Sequence, residues 1–424
     1  MSGLLLGCIA DDLTGATDLA NTLVRRGMGT ILTIGVPEEG TDAHGATAMV
    51  VALKSRTIEP ADAVAQSKAA LAVLRAAGAR QIVFKICSTF DSTDRGNIGP
   101  VADALLAELG ANFAVVCPAF PENRRTVFNG HLFVGDRLLS ESPMRDHPLT
   151  PMKDADLVRV LGRQTRNKVG LVFYGDVRHG AGAIAAALVR LRADGVTYAV
   201  VDVLEDRHLL DLGSACADQP LLVGGSGIAL GLPENFRRAG LIDGEGADAL
   251  PHVVGHEAIV AGSCSAATLG QIACFERDHP AIKVDVKALA AGQQAARDAA
   301  DNAVTRLRDG PVLVYASAPP DQVADAQAAL GRDHAGAMVE GALAEIAQRL
   351  VDAGVRRLVV AGGETAGAVV RRLGIKALRI GPQIDPGVPW TASTGAPELL
   401  LALKSGNFGA PDFFAKAFRV LSCP

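Results

Sequence analysis

A chain of 424 residues is too long for one ordinary hydrophobic core, so two domains are expected. Hydrophobic residues make up 49% and charged residues 21%, the balance of a soluble globular protein. A formal net charge of −5 with no basic block argues against nucleic acid or an anionic membrane surface as the main partner, and no apolar run reaches the ~18 residues needed to span a bilayer.

The opening "MSGLLLGCIADD" has no basic start and no cleavage motif, so its short apolar run reads as a first strand and not as a signal peptide. Behind it, "TAMVVAL", "QIVFKI", "FAVVCPA", "GLVFYG", "YAVVDV" and "PLLVGG" alternate with Ala/Leu/Arg-rich segments of helical period, such as 61–77 and 181–193. Uninterrupted apolar strands with helices between them imply a parallel sheet covered on both faces. Residues 119–156 break the alternation. They form a long, polar, irregular stretch with interleaved Phe, Leu and Val, which is expected to be an ordered insertion at an active site. Around 240–256 periodicity stops in "GLIDGEGADALPHVVGHE", and a domain boundary is placed there, giving domains 1–245 and 246–424. The rhythm then restarts with "EAIVAGS", "PVLVYAS", a helix near 339–353 and "RRLVVAGG". The fold class expected is α/β, with two domains that each carry a mostly parallel, helix-flanked, Rossmann-like sheet. The seven cysteines are odd in number and scattered, without a C-x-x-C; reduced, mostly buried thiols in a cytoplasmic protein account for them most simply.

Ligands of open α/β sheets bind beyond the carboxyl ends of the strands. In the first half those ends carry Asp11 and Asp12, then Lys54 and Arg56, then Lys85, Ser88, Thr89, Asp91, Ser92 and Arg95, then "PAFPENRR". Carboxylates and hydroxyls suit a polyhydroxylated substrate, and Lys or Arg its carboxylate. An Asp or Ser at a single strand–helix junction is more often a helix cap, a role open to Asp12 or Thr14. A whole sheet edge rich in both charge signs argues for a site. In the second half the corresponding stretches are "AGSCSAAT", "AGGETAGA" and "LKSGNFGAPDFF". Gly-rich turns that open helices present free N–H groups and the positive end of the helix dipole, which suits phosphates. No Walker loop occurs, so any ATP use is of another kind.

Two patterns mislead. "GGSGIALG" at 224–231 has one residue too many for a dinucleotide fingerprint, which disfavours an NAD-dependent dehydrogenase. His252 and His256 lie one helical turn apart in sequence, but they fall in the linker without a third ligand, which disfavours zinc. His131 and His147 read equally as ligand contacts or as satisfied loop histidines.

Taken together, "ADDLTGATDLA", "KICSTFDSTDRGNIGPV", "CPAFPENRRTVFNGHLFVGDRLLSESPMRDHPLTPM", "AGSCSAAT", "AGGETAGAVV" and "LALKSGNFGAPDFF" resemble the four-carbon acid sugar kinase family. The resemblance covers nearly the whole chain in order and is closest to the branch that acts on 3-oxo-tetronate. It implies a sugar-acid-binding N-terminal domain, an ATP-binding C-terminal domain and an active site in the cleft between them. It also implies ATP-dependent phosphorylation of the terminal 4-hydroxyl, with Mg²⁺ bridging the phosphates. By motif, Ser263, Gly362, Gly363, Glu364, Thr365 and Gly406 would contact ATP. Asp11, Asp12, Arg56 and the "STFDST" side chains Ser88, Thr89, Asp91 and Ser92 would face the acid. Asp12 is expected to accept or orient the hydroxyl proton, with Asp11 as the other choice, and Lys85 or Arg56 to pair with the substrate carboxylate. Thr14 and Gly15 are expected only to open the helix. The metal ligands stay unassigned, and a homo-oligomer stays open. The alternatives are a kinase for D-threonate or D-erythronate and a non-catalytic cytoplasmic sugar-acid-binding protein.

Overall fold

The run "LGCIA" forms a fully buried strand, as its lack of polar residues requires. The computed structural model describes residues 3–91, 93–147, 150–244, 246–290, 292, 294–318 and 331–422. The chain divides into two units, Met1–Asp248 and Ala249–Pro424. Among the described residues no helix is long and apolar enough to cross a membrane.

The strands of the first unit are β1 (Leu6–Ala10), β2 (Thr30–Ile34), β3 (Ala48–Ala52), β4 (Gln81–Lys85), β5 (Ala114–Cys117), β6 (Arg125–Phe128), β7 (His131–Val134), β8 (Arg137–Leu138), β9 (Val169–Val172), β10 (Tyr198–Val201) and β11 (Leu221–Gly224). Eight of them pair in the order β2-β3-β1-β4-β11-β5-β10-β9. Every pairing in that run is parallel. The strand β2, "TILTI", is absent from the sequence expectation because its threonines break the apolar run; the Thr30 hydroxyl is satisfied locally by the Met28 carbonyl at 2.7 Å. Register sets the edge that matters. Ala10 stands opposite Ala52 and Lys85, and Gly224 opposite Lys85 and Cys117. The residues that follow these therefore emerge side by side.

Residues 119–156 are more regular than the sequence implies. The strands β6, β7 and β8 form a three-stranded antiparallel sheet. Its first turn is Asn129–Gly130, both at positive φ, and an Asn-Gly pair between alternating strands is the signal that the sequence held. Buried Asp202 fastens that turn. Its carboxylate accepts the N–H groups of Asn129, Gly130 and Tyr174, each at 2.9 Å.

The second unit carries β12 (His256–Ala261), β13 (Ala281–Lys283), β14 (Val312–Tyr315), β15 (Val355–Ala361), β16 (Ala377–Asp385), β17 (Val388–Ser393) and β18 (Leu400–Lys404), ordered β13-β14-β12-β15-β18-β17-β16. The first five strands in that order run parallel, β17 runs against them, and β16, antiparallel to β17, returns to their direction. The core gathers around fully buried Trp390, whose indole N–H donates to the Ala417 carbonyl at 2.8 Å. The helix expected near 339–353 runs over Arg332–Asp352. Here too the carboxyl ends align: Ala361 stands opposite Ala261 and Lys404.

Candidate functional site

Helix α1 (Leu13–Arg25) follows β1 directly, so the two carboxylates fall at the strand–helix junction. Asp12 occupies the N-cap position, but its side chain turns to Arg56 and Thr14. Arg56 grips Asp11 with a two-point fork, Nε to Oδ2 at 2.9 Å and Nη2 to Oδ1 at 2.8 Å. The same Nη2 reaches Asp12 Oδ1 at 2.6 Å, and the Thr14 hydroxyl donates to Asp12 Oδ2 at 2.7 Å. The segment bearing Arg56 is itself held, because the Asn97 amide donates to the carbonyls of Ser55 and Ile58 at 2.7 and 2.9 Å.

One guanidinium therefore serves two carboxylates. Burial raises Asp11 above the ordinary carboxylate range even against the charge of Arg56. Burial pushes the same way at Asp12, but the charges of Arg56 and Lys85 win and hold it at about 2. Asp12 is also the more accessible of the pair, its side chain 26% exposed against 8% for Asp11.

Lys85, the last residue of β4, is 3% exposed, and its charge acts on the carboxyls of Asp11, Asp12 and Asp18. It lies over the first turn of α1. A β-carbon on Gly15 would stand 2.4 Å from Lys85 Nζ and 2.3 Å from Asp12 Oδ1. Gly15 thus does more than open a helix: it leaves the space in which the lysine and the aspartate approach. One turn further along α1, burial raises the carboxyl of half-buried Asp18 against the pull of Lys85. The sequence reading missed Asp18, although its place on α1 after the Asp pair was there to be read.

The loop after β4 is built on itself. The Thr89 hydroxyl donates to Asp91, and Cys87 Sγ lies 3.0 Å from the same hydroxyl. Between them, fully buried Phe90 takes a left-handed φ of 56°, a strained conformation for a bulky residue. Ser88 is half-buried and close-packed on Gly225; Ser92 lies outside the described residues. The glycines of "GGSGIALG" have a packing role. β-Carbons on Gly224, Gly225 and Gly227 would meet the carbonyls of Cys117, Pro118 and Ala119 at 2.3, 2.7 and 2.5 Å. They let two loops touch, so no dinucleotide turn is needed to explain them. His147 Nδ1 is satisfied by Thr150 and His131 Nδ1 by the Asn129 carbonyl, so both are bonded within their own loops. Among the described residues no group of three or more His, Cys, Asp or Glu could hold a metal ion.

In the second unit, three of the loops singled out by sequence converge. A β-carbon on Gly406 would stand 2.2 Å from Ser263 Oγ. One on Gly362 would stand 2.9 Å from Thr365 Oγ1 and 3.2 Å from the Ser263 nitrogen. The Gly362 N–H donates to the Lys404 carbonyl at 2.9 Å. The Gly406 carbonyl accepts from Ser265 Oγ at 2.6 Å and from Thr268 Oγ1 at 2.9 Å. Gly362 caps the helix Gly363–Arg372 without a side chain, and Gly363 and Glu364 are exposed, so that helix start is open to a ligand. Hydroxyls, side-chain-free backbone and an open helix N-terminus in one place fit a phosphate-bearing nucleotide.

Sequence profiles agree with this division of chemistry. The Sugar-binding N-terminal domain family matches residues 6–232 and the Nucleotide-binding C-terminal domain family residues 258–414. The chain belongs to the four-carbon acid sugar kinase family. Among its relatives is a protein of Cupriavidus necator named 3-oxo-tetronate kinase, 60% identical over 98% of this chain and 97% of its own length. One of the same name from Burkholderia multivorans is 59% identical over 98% and 97%. A solved structure from Salmonella typhimurium LT2, given a provisional tRNA synthase name, is 41% identical and covers 98% of this chain and 99% of its own, with a TM-score of 0.90. A solved structure from Haemophilus influenzae, also 41% identical, covers 98% and 100% with a TM-score of 0.84. Kinases of this family need a donor site and an acceptor site, and each unit of the chain carries one polar, glycine-shaped edge.

Proposed function

We propose that the chain is a 3-oxo-tetronate kinase, moving the γ-phosphoryl group of ATP to the terminal 4-hydroxyl of 3-oxo-tetronate. Relatives of that name at 53–60% identity support the reading. The structural observation that carries it is the buried Lys85 ammonium, which lies beside Asp12, a carboxylate that Arg56 already engages. A buried cation is costly unless an anion balances it. Asp12, shared with Arg56, supplies part of that balance, and the carboxylate of a small sugar acid completes it.

The roles follow from which groups are already engaged. Arg56 is occupied by Asp11 and Asp12, which leaves Lys85 for the substrate carboxylate. Asp12, the more exposed carboxylate, faces the hydroxyl. Held at about 2, it is a weak base. Its task is to orient the hydroxyl and to take the proton late, as the bond to phosphorus forms, which suits a loose phosphoryl-transfer transition state. Ser88, Thr89 and Asp91 line the same edge for the sugar oxygens. In the other unit Ser263, Gly362, Gly363, Glu364, Thr365 and Gly406 receive ATP. Mg²⁺ would be held by the nucleotide phosphates and would neutralise their charge; the described residues offer it no cage of their own. Transfer needs the donor and acceptor brought together with water kept out.

Relatives named for one substrate favour 3-oxo-tetronate over D-threonate or D-erythronate. The six described cysteines are free thiols, which fits a cytoplasmic catabolic enzyme. The test is ADP release with each of the three acids. Release that is fastest with 3-oxo-tetronate is expected. Tight acid binding without ADP release would mark a non-catalytic binding protein.

A further inference from the structure

Lys404 ends β18 and has no exposed surface, yet among the described residues no carboxylate pairs with it. Its ammonium donates to Thr268 Oγ1 at 3.0 Å and to the Gly406 carbonyl at 3.1 Å, and the Phe413 ring lies 6.0 Å away. All of these are neutral. The Gly406 carbonyl is thus held by three donors at once: Lys404, Ser265 and Thr268. A full charge has been placed behind a loop that three neutral bonds and good packing could have fixed at lower cost.

We propose that Lys404 is a positioning residue for the nucleotide: its buried charge, set behind Gly406, is balanced by the nucleotide's phosphates and by no carboxylate among the described residues. The proposal rests on the nucleotide-binding reading of this unit. Because Lys404 is fully buried, it acts through the loop and through its field, without touching the ligand. Burial also lowers its affinity for a proton, to a value of about 8. An isolated buried cation is the kind of local cost that folds tolerate at functional positions.

The experiment compares wild type, K404M and K404Q for binding of ADP and of adenosine by calorimetry, with melting temperatures of the free proteins. Wild type is expected to prefer ADP. In K404M the affinity for ADP should fall about tenfold or more while that for adenosine stays within about twofold. The free K404M protein should melt at or above the wild-type temperature, since a merely structural lysine would leave a weaker fold when removed. K404Q keeps hydrogen-bonding capacity without charge, and it should lose ADP affinity in the same way. Retained ADP affinity in either neutral variant overturns the proposal, as does an equal loss for adenosine. If wild type itself binds no ADP, the nucleotide reading falls and takes this proposal with it. If wild type binds ADP and the variants match it, the proposal alone falls.

Discussion

Lys85 and Gly15 are fitted to each other: a β-carbon on Gly15 would sit 2.4 Å from the lysine nitrogen, well inside contact distance. The lysine is buried and cannot swing freely into solvent. Asp12 Oδ1 is equally close and is anchored by Arg56. G15A should therefore fold, since alanine suits a helix better than glycine by up to ~1 kcal/mol. The displaced ammonium and carboxylate should lower kcat/KM by ~10²-fold, the usual cost of about an ångström of misplacement. Steady-state kinetics beside a melting curve test this. Unchanged kinetics would mean that neither group is placed for catalysis.

Asp11 and Asp12 should separate into different phenotypes. D12N keeps the Arg56–Asp11 fork and should fold, while turnover drops by ~10²-fold or more. D11N turns one of the two acceptors of a buried two-point contact into a donor that faces the guanidinium. It should cost about 1–3 kcal/mol in unfolding free energy, measured by denaturant titration. Normal turnover in D12N would reduce Asp12 to a partner of Arg56.

Lys404 makes stability depend on pH in a way that can be isolated. Burial holds its folded-state value at about 8, below the ordinary 10.5. Between those values the unfolded chain still holds the proton and the folded chain has released it, so the stability from this group rises with pH. The penalty is fully present below about 8 and is relieved by 10.5. The excess unfolding free energy of K404M over wild type, without nucleotide, should therefore shrink across that interval. A constant difference would mean that the lysine does not titrate there.

Much of the architecture was legible because a doubly covered parallel sheet writes itself as uninterrupted apolar strands. "LGCIA", "AMVVA" and "YAVV" are buried at every position. "TILTI" was hidden by two threonines that the fold buries and satisfies nearby. The three-stranded insertion was hidden by its polar content, although Asn129–Gly130 announced its turn. At the site, the residue types were readable and their pairings were not. Nothing local in the sequence says that Arg56 takes both aspartates, that Lys85 comes to lie beside them, or that Gly15 makes room for it. Those facts come from the register that sets Ala10 beside Ala52 and Lys85. The same holds for Lys404, whose burial depends on how its strand packs against the helix Phe413–Ser422 and Thr268.

The most direct measurement is ADP release by the purified protein given ATP, Mg²⁺ and, in parallel, 3-oxo-tetronate, D-threonate or D-erythronate. The expected result is turnover with a kcat/KM highest for 3-oxo-tetronate. No ADP release with any of the three acids, or an absorbance change with a nicotinamide cofactor in its place, would contradict the kinase account.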